Sequence, residues 1–139
     1  MKVDLFTLRF AGGNSFYARV ANGKPVAIVD AFCVLESGEL PVAVGMCSVA
    51  IKMQFDRAEA GTKQIRISFV DENGRSARPS LENTVEVKIP DHEPTATVPF
   101  AFLIKQLSLP AFGGYSVELS VDGQLADSTP LYVRQKAGG

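Results

Sequence analysis

Few residues in this sequence could carry acid–base or nucleophilic chemistry. The one histidine, His92, stands between Asp91 and Glu93. A catalytic triad needs an acid that orients the imidazole beside a nucleophile. Side chains adjacent in sequence point apart, so these two acids are not placed to orient His92. The prolines on either side of this stretch favour an exposed loop over a catalytic site.

Metal-binding patterns are also weak. Cys33, Cys47 and His92 are far apart and lack the short paired spacing of zinc sites. Residues 71–74, Asp-Glu-Asn-Gly, superficially resemble a calcium loop, but Arg75 and its successors occupy later ligand positions. Asn and Gly tolerate positive φ, so this stretch is better explained as a tight turn.

Two glycine pairs, Gly12-Gly13 and Gly113-Gly114, could suggest a nucleotide-binding loop. Both lack the lysine and the following helix that phosphate binding requires. Since no acid–base pair and no partnered nucleophile is visible either, we predict that the protein is not an enzyme. We also predict that it uses no cofactor and no metal.

Both cysteines lie in apolar runs. This placement favours two buried, reduced thiols, because a free cysteine packs as a small hydrophobic residue. A single bridge between Cys33 and Cys47 on neighbouring strands is the alternative, since two cysteines make no disulfide framework.

The elements that would position these residues read as short strands separated by turns. The clearest strand is at 114–121, where alternate residues are apolar and Asp122-Gly123 then turns the chain. Residues 56–61 could form one short helical turn that ends at Gly61. We predict an all-β, immunoglobulin-like β-sandwich of about eight or nine strands, with a barrel or jelly roll as second choice.

Tyr115 opens this clearest strand after two glycines, a pattern similar to the tyrosine corner of immunoglobulin-type sandwiches. In that motif the tyrosine hydroxyl bonds to backbone a few residues upstream. We therefore expect Tyr115 to be a structural anchor and not a ligand contact.

Length and composition favour one soluble domain. The chain has 139 residues, of which 46% are hydrophobic and 21% charged, with a net charge of −1. We expect a single domain over 1–134 and a flexible tail over 135–139. The balanced charge provides no basic patch that would bind nucleic acid or an anionic membrane. No apolar run is long enough to span a bilayer. We predict a cytoplasmic protein.

Several motifs together carry a family resemblance over nearly the whole chain. They are Met1 to Phe6, Glu59-Ala60-Gly61, Ile65 to Arg75, Leu107 to Pro110, Gly113 to Leu119 and Pro130 to Arg134. With them the sequence resembles a family of small, uncharacterised bacterial proteins, a domain of unknown function. The resemblance implies a β-sandwich and implies no activity, cofactor or catalytic residue.

The function predicted from these observations is non-enzymatic binding. The partner would be another protein or a second copy of the chain, paired through an exposed edge strand. Phe16 and Tyr17 are the candidate binding residues, since not all aromatics of their strand need fit inside. The alternative is a ubiquitin-like modifier conjugated through Gly138 and Gly139, although the β-grasp fold of such modifiers needs a helix that the sequence lacks.

Overall fold

A computed structural model describes residues 1–10, 33–37, 40–44 and 47–135. Within these ranges the chain forms ten strands and one turn of 3-10 helix, Arg57–Glu59. The strands are β1 (Lys2–Phe10), β2 (Cys33–Ser37), β3 (Val42–Val44), β4 (Cys47–Asp56), β5 (Gly61–Asp71), β6 (Leu81–Val87), β7 (Thr95–Ile104), β8 (Leu107–Leu109), β9 (Gly113–Val121) and β10 (Gln124–Gln135). Phe16, Tyr17, Gly138 and Gly139 lie outside the described residues.

The strands form two main sheets and one short pair. One sheet has three antiparallel strands in the order β1-β4-β7, and the other has five in the order β2-β10-β9-β5-β6. Only the β2–β10 pairing is parallel among the strand pairs described. The pair β3-β8 stands apart. The all-β, immunoglobulin-like sandwich predicted from the sequence is confirmed, with eight strands in the two main sheets.

The core lies between the two main sheets and follows the period-two pattern of the sequence. Alternate residues of β4 are buried from Cys47 to Phe55, and those of β5 from Ile65 to Phe69. Each fully buried aliphatic or aromatic side chain contributes about 1.5–3 kcal/mol relative to an exposed one. The largest fully buried side chains are Leu8, Ile51, Met53, Phe55, Ile65, Ile67, Phe69, Leu107, Leu109, Leu119 and Leu131.

Strand β1 carries apolar residues on both faces because its register changes. Its pairing with β4 shifts between Val3 and Leu5, as at a β-bulge. Val3 packs against the core before the shift, and Phe6 and Leu8 are buried after it. An extra residue reverses which alternate side chains face inward. Leu5 is therefore left half-buried on the outer side.

The tyrosine corner predicted at Tyr115 is confirmed. The ring is buried, with 5% of the residue exposed. Its hydroxyl donates to the carbonyl oxygen of Ala111 at 2.8 Å and accepts the N–H of Ala111 at 3.1 Å. The side chain thus holds the β8–β9 loop against the start of β9.

The stretch that resembled a calcium loop is a turn, as predicted. Asp71 Oδ1 accepts the backbone N–H groups of Asn73 and Arg75 at 2.9 and 3.0 Å. The Gly74 N–H donates to the Asp71 carbonyl at 3.0 Å, and Gly74 has φ 79°. The Asp71 carboxylate and carbonyl therefore stabilise the turn.

Two strands differ in their bounds from what apolar alternation in the sequence predicts. Alternation at Val85, Val87 and Ile89 predicts one strand, whereas β6 spans Leu81–Val87. Alternation at Leu131 and Val133 predicts a short last strand, whereas β10 begins at Gln124. In both places one face of the strand is exposed and polar, so the apolar alternation that marks a strand covers only part of its length.

Candidate functional site

The described residues that could carry chemistry are not brought together. His92 is exposed in the loop after β6 and has φ 71°. Within the described ranges, no group of three or more His, Cys, Asp and Glu side chains could hold a metal ion. Burial raises the pKa of the Cys47 thiol to about 11, although Arg78 opposes this shift. The thiolate is the nucleophilic form, so Cys47 is inert at neutral pH.

Cys47 carries a free, buried thiol. This agrees with the reduced state that its apolar surroundings predicted, and the bridged alternative is wrong for Cys47. The side chain of Cys33 lies outside what the structure describes.

The sequence-predicted binding residues Phe16 and Tyr17, like Gly138 and Gly139, stay predictions because they fall outside the described ranges. The structure does bear on the modifier alternative through the fold. The described residues contain one 3-10 turn and no α-helix. A β-grasp fold needs such a helix, so nothing in the described geometry favours conjugation through the tail.

The outer face of the five-stranded sheet is mainly polar across β5, β6 and β9, whereas β10 exposes Pro130 and Tyr132 on it. Ser68 pairs with Glu118 and Arg66 with Ser120 across β5 and β9. On the adjoining edge, Arg66 Nε lies 3.5 Å from Glu82 Oε1. Such exposed ion pairs and hydroxyl groups are well solvated, as expected of a face that remains in water.

The outer face of the three-stranded sheet has a different composition. In one row Lys52 lies between Leu5 and Pro99; in the next Ala50 lies beside Ala101. Ser48 pairs with Leu103 in the third row, and Leu103 is 61% exposed. We name this surface the β4 face, defined by Leu5, Ser48, Ala50, Lys52, Pro99, Ala101 and Leu103.

The β4 face has small residues at its centre. Ala101, Pro99 and Leu103 are exposed, whereas Ala50 is half-buried. Lys52 is the one charged residue of the seven, and the register of β1 places a second charged residue, Arg9, beside Ser48 at the margin of the face. This surface is not recognisable from the sequence, because Ala and Ser between buried apolar residues have the pattern of ordinary solvent-facing positions. Only the register of β4 with both neighbours brings them into one patch.

The exposed edge of β6 is protected against pairing with another strand. The N–H of Gln64 donates to Asp122 Oδ1 at 2.8 Å, and the Gln64 carbonyl oxygen accepts the N–H of Asp122 at 2.9 Å. Both backbone groups of Gln64 therefore point away from β6. Thr84 pairs with Gln64, so its backbone groups point away from β5. Asn83 Oδ1 accepts the N–H of Thr84 at 2.8 Å, which removes that donor from the open edge. Acidic side chains flank the position, namely Glu82 and Glu86.

Prolines protect β7 and the part of β10 that has no β2 neighbour. Pro99 lies in β7, at the edge of the three-stranded sheet, and has no N–H to offer. Pro130 lies in β10 just before the residues that pair with β2, and the β9–β10 register shifts between Leu125 and Asp127. Proline and bulges are the usual devices that discourage strand addition. The edges at β6 and β7 are therefore poorly suited to association, whereas the β4 face has no such obstacle.

No helix within the described ranges has the length and apolar character needed to cross a membrane.

Comparison with known proteins gives one family match. The model of a family of unknown function (DUF6941) matches residues 17–134. This confirms the resemblance to an uncharacterised domain family. No curated protein matches the chain.

Several solved structures are similar at low identity. One is an alkylpurine DNA glycosylase, AlkC, from Pseudomonas fluorescens, bound to DNA: 12% identity, 73% of this chain, 28% of that chain, TM-score 0.44. Another is a beta-glucosidase from Listeria innocua: 18% identity, 73% of this chain, 14% of that chain, TM-score 0.42. An immunoglobulin-like protein from Pseudomonas aeruginosa is 10% identical, with 91% and 96% of the two chains covered and a TM-score of 0.33. The chain thus spans under a third of the length of the first two.

Proposed function

The chain belongs to this family of unknown function, DUF6941, and we propose that it is a non-enzymatic binding module that self-associates through the β4 face. The observation that carries the proposal is the contrast between the two outer faces. Across β5, β6 and β9 the face of the five-stranded sheet carries serines and ion-paired charges, whereas the β4 face exposes Pro99, Ala101 and Leu103. Exposed apolar residues grouped on one face are typical of an interaction surface.

The β4 face is complementary to itself. A two-fold axis across the strands, through the Ala50–Ala101 row, would place Leu103 of one copy over Pro99 of the other. The same axis places Lys52 over Ser48, so the two ammonium groups do not oppose each other. The methylene stem of Lys52 can then lie along the sheet while its charge reaches water. Such an isologous contact closes as a dimer.

The size of the β4 face sets the expected strength of the dimer. Three strands about 4.8 Å apart make a narrow surface. It is smaller than the roughly 800 Å² per partner of a standard interface. We therefore expect weak association, with a Kd on the order of 100 µM.

Replacing Leu103 tests this proposal. In analytical ultracentrifugation from about 10 µM to about 1 mM, we expect the wild-type mass to rise toward that of a dimer. Leu103→Lys should hold the protein monomeric over the same range, because each copy would bury a new charge. Leu125→Lys is the matched control: Leu125 is also 61% exposed but lies beyond the β9–β10 turn. A wild type that stays monomeric throughout, or equal effects of the two variants, would contradict the proposal.

We also propose that the protein is cytoplasmic and binds neither nucleic acid nor membranes. The free thiol of Cys47 supports a reducing compartment. The near-zero net charge supports the absence of polyanion binding.

A further inference from the structure

An open cleft of about 260 Å³ lies at the end of the sandwich where the 3-10 turn and the β9–β10 turn meet. Its floor includes Phe55, which is fully buried, together with Val121 and Ala126, which pack against the core. The exposed side chain of Leu125 forms part of its wall. The cleft is separate from the β4 face, so it calls for its own explanation.

Lys63 occupies an unusual position in this cleft. It continues the inward-facing series of Ile65 and Ile67 on β5, where the alternation calls for an apolar residue. Its side chain is only 19% exposed, and Nζ lies 3.6 Å from Asp122 Oδ2. This is longer than the 2.7–3.2 Å of a good hydrogen bond. The side chain is therefore largely buried, and its ammonium group, which has three N–H donors, makes no short hydrogen bond to Asp122.

The nearby carboxylates are held by the protein backbone. Asp122 Oδ1 accepts the N–H of Gln64 at 2.8 Å, so this carboxylate is fixed by the turn. Glu59 Oε1 accepts the N–H of Asp56 at 3.0 Å, and Glu59 Oε2 lies 2.9 Å from the amino group of Met1. The cleft therefore presents two ammonium groups, of Lys63 and Met1, and two fixed carboxylates, of Asp122 and Glu59, above an apolar floor.

We propose that this cleft binds a small aliphatic α-amino acid. The ligand carboxylate bonds to Lys63, and the ligand ammonium group lies near the carboxylates of Asp122 and Glu59. The hydrocarbon side chain packs against Val121 and Leu125. A zwitterion matches the balanced charges of the cleft. The volume lies just below the roughly 300–1,000 Å³ of pockets for drug-sized molecules, which favours a ligand of few atoms.

An NMR titration with L-leucine tests this inference on the full chain. We expect saturable shifts of the backbone amides of Lys63, Gln64 and Gln124, with a Kd on the order of 1 mM. Lys63→Met should weaken binding at least about tenfold, because it removes the carboxylate partner. Lys105→Met, in the turn between β7 and β8, is the control and should bind leucine like the wild type. A Lys63→Met variant with unchanged affinity would overturn the inference.

Ligand analogues test the contributions of the ligand ammonium group and the ligand carboxylate one at a time. 4-Methylpentanoate lacks the ammonium group and 3-methylbutylamine lacks the carboxylate, so both should bind at least about tenfold more weakly than leucine. Asp122→Asn should weaken the binding of leucine but leave the binding of 4-methylpentanoate unchanged. Asn tolerates the positive φ of this turn, so the backbone should keep its conformation. Absence of saturable shifts up to about 50 mM leucine, or equal binding of leucine and 4-methylpentanoate, would refute an amino-acid site. Neither result bears on self-association through the β4 face.

Discussion

At the scale of single residues, the start of β9 depends on two glycines. Gly113 has φ 130°, a conformation that other residues rarely adopt. The N–H of Gly114 donates to Glu72 Oε1 at 2.6 Å. A Cβ at Gly114 would lie 3.2 Å from that oxygen and 3.5 Å from the Tyr132 ring. The glycines therefore allow the β5–β6 turn and β10 to approach the backbone closely.

Tyr115 completes this arrangement from the inside, and its hydroxyl can be removed alone. We expect Tyr115→Phe to lower the free energy of unfolding by about 1–2 kcal/mol, because two hydrogen bonds to Ala111 are lost. Urea denaturation measures this difference. Tyr132→Phe, on the exposed face of β10, is a comparison in which a tyrosine hydroxyl is removed outside the core. A Tyr115→Phe protein as stable as the wild type would contradict the stabilising role of the Tyr115 hydroxyl.

At the scale of elements, the edge strands β6 and β7 carry features that hinder pairing with another strand. Strand β6 closes one side of the five-stranded sheet, and its outward N–H at Thr84 is taken by Asn83. Pro99 gives β7 a similar protection without any hydrogen bond. Self-association by edge pairing, which the sequence suggested, is therefore disfavoured at both of these strands. A flat face offers the alternative route.

The role of Asn83 is testable because its side chain is exposed. We expect Asn83→Val to increase the rate of aggregation near the melting temperature, since it frees the Thr84 N–H and raises β propensity at an open edge. Static light scattering during a slow thermal ramp measures this rate. Ser120→Val, on the central strand β9, adds the same residue where no edge is open. Equal aggregation of the two variants would show that the Asn83 contact does not protect the edge.

At the scale of the whole molecule, one core spans both sheets and includes Cys47. Burial raises the pKa of this thiol from 9.0 to about 11 in the folded protein. The folded state therefore holds the proton more tightly than the unfolded state. The resulting stability is fully present below pH 9.0 and is lost as the pH rises toward 11.

Cys47→Ala should remove this alkaline dependence. Between pH 9.0 and 11, we expect the wild-type free energy of unfolding to fall by up to about 2 kcal/mol more than that of the variant. Chemical denaturation at several pH values gives both slopes, and the constant cost of the lost side chain cancels in the comparison. Parallel slopes would mean that the Cys47 thiol ionises alike in both states.

The sequence predicts the class of this fold better than its details. Period-two alternation identified β9, because its inner face is uniformly apolar from Tyr115 to Val121. It could not order the strands or place β10 between β2 and β9. The β4 face and the Lys63 cleft were missed for the same reason. Both depend on registers and turns that join residues distant in the chain, such as Lys63 and Asp122.

The central place of β10 has a consequence for how the chain reaches its final form. Residues 131–135 pair with β2 on one side, and Leu131 pairs with Tyr115 of β9 on the other. During translation, β2 leaves the ribosome long before its neighbour is synthesised. The five-stranded sheet cannot close until residue 135 has passed the exit tunnel. Nascent chains that stop short of β10 therefore lack the strand that joins β2 to β9, and they should be substrates for chaperones and proteases.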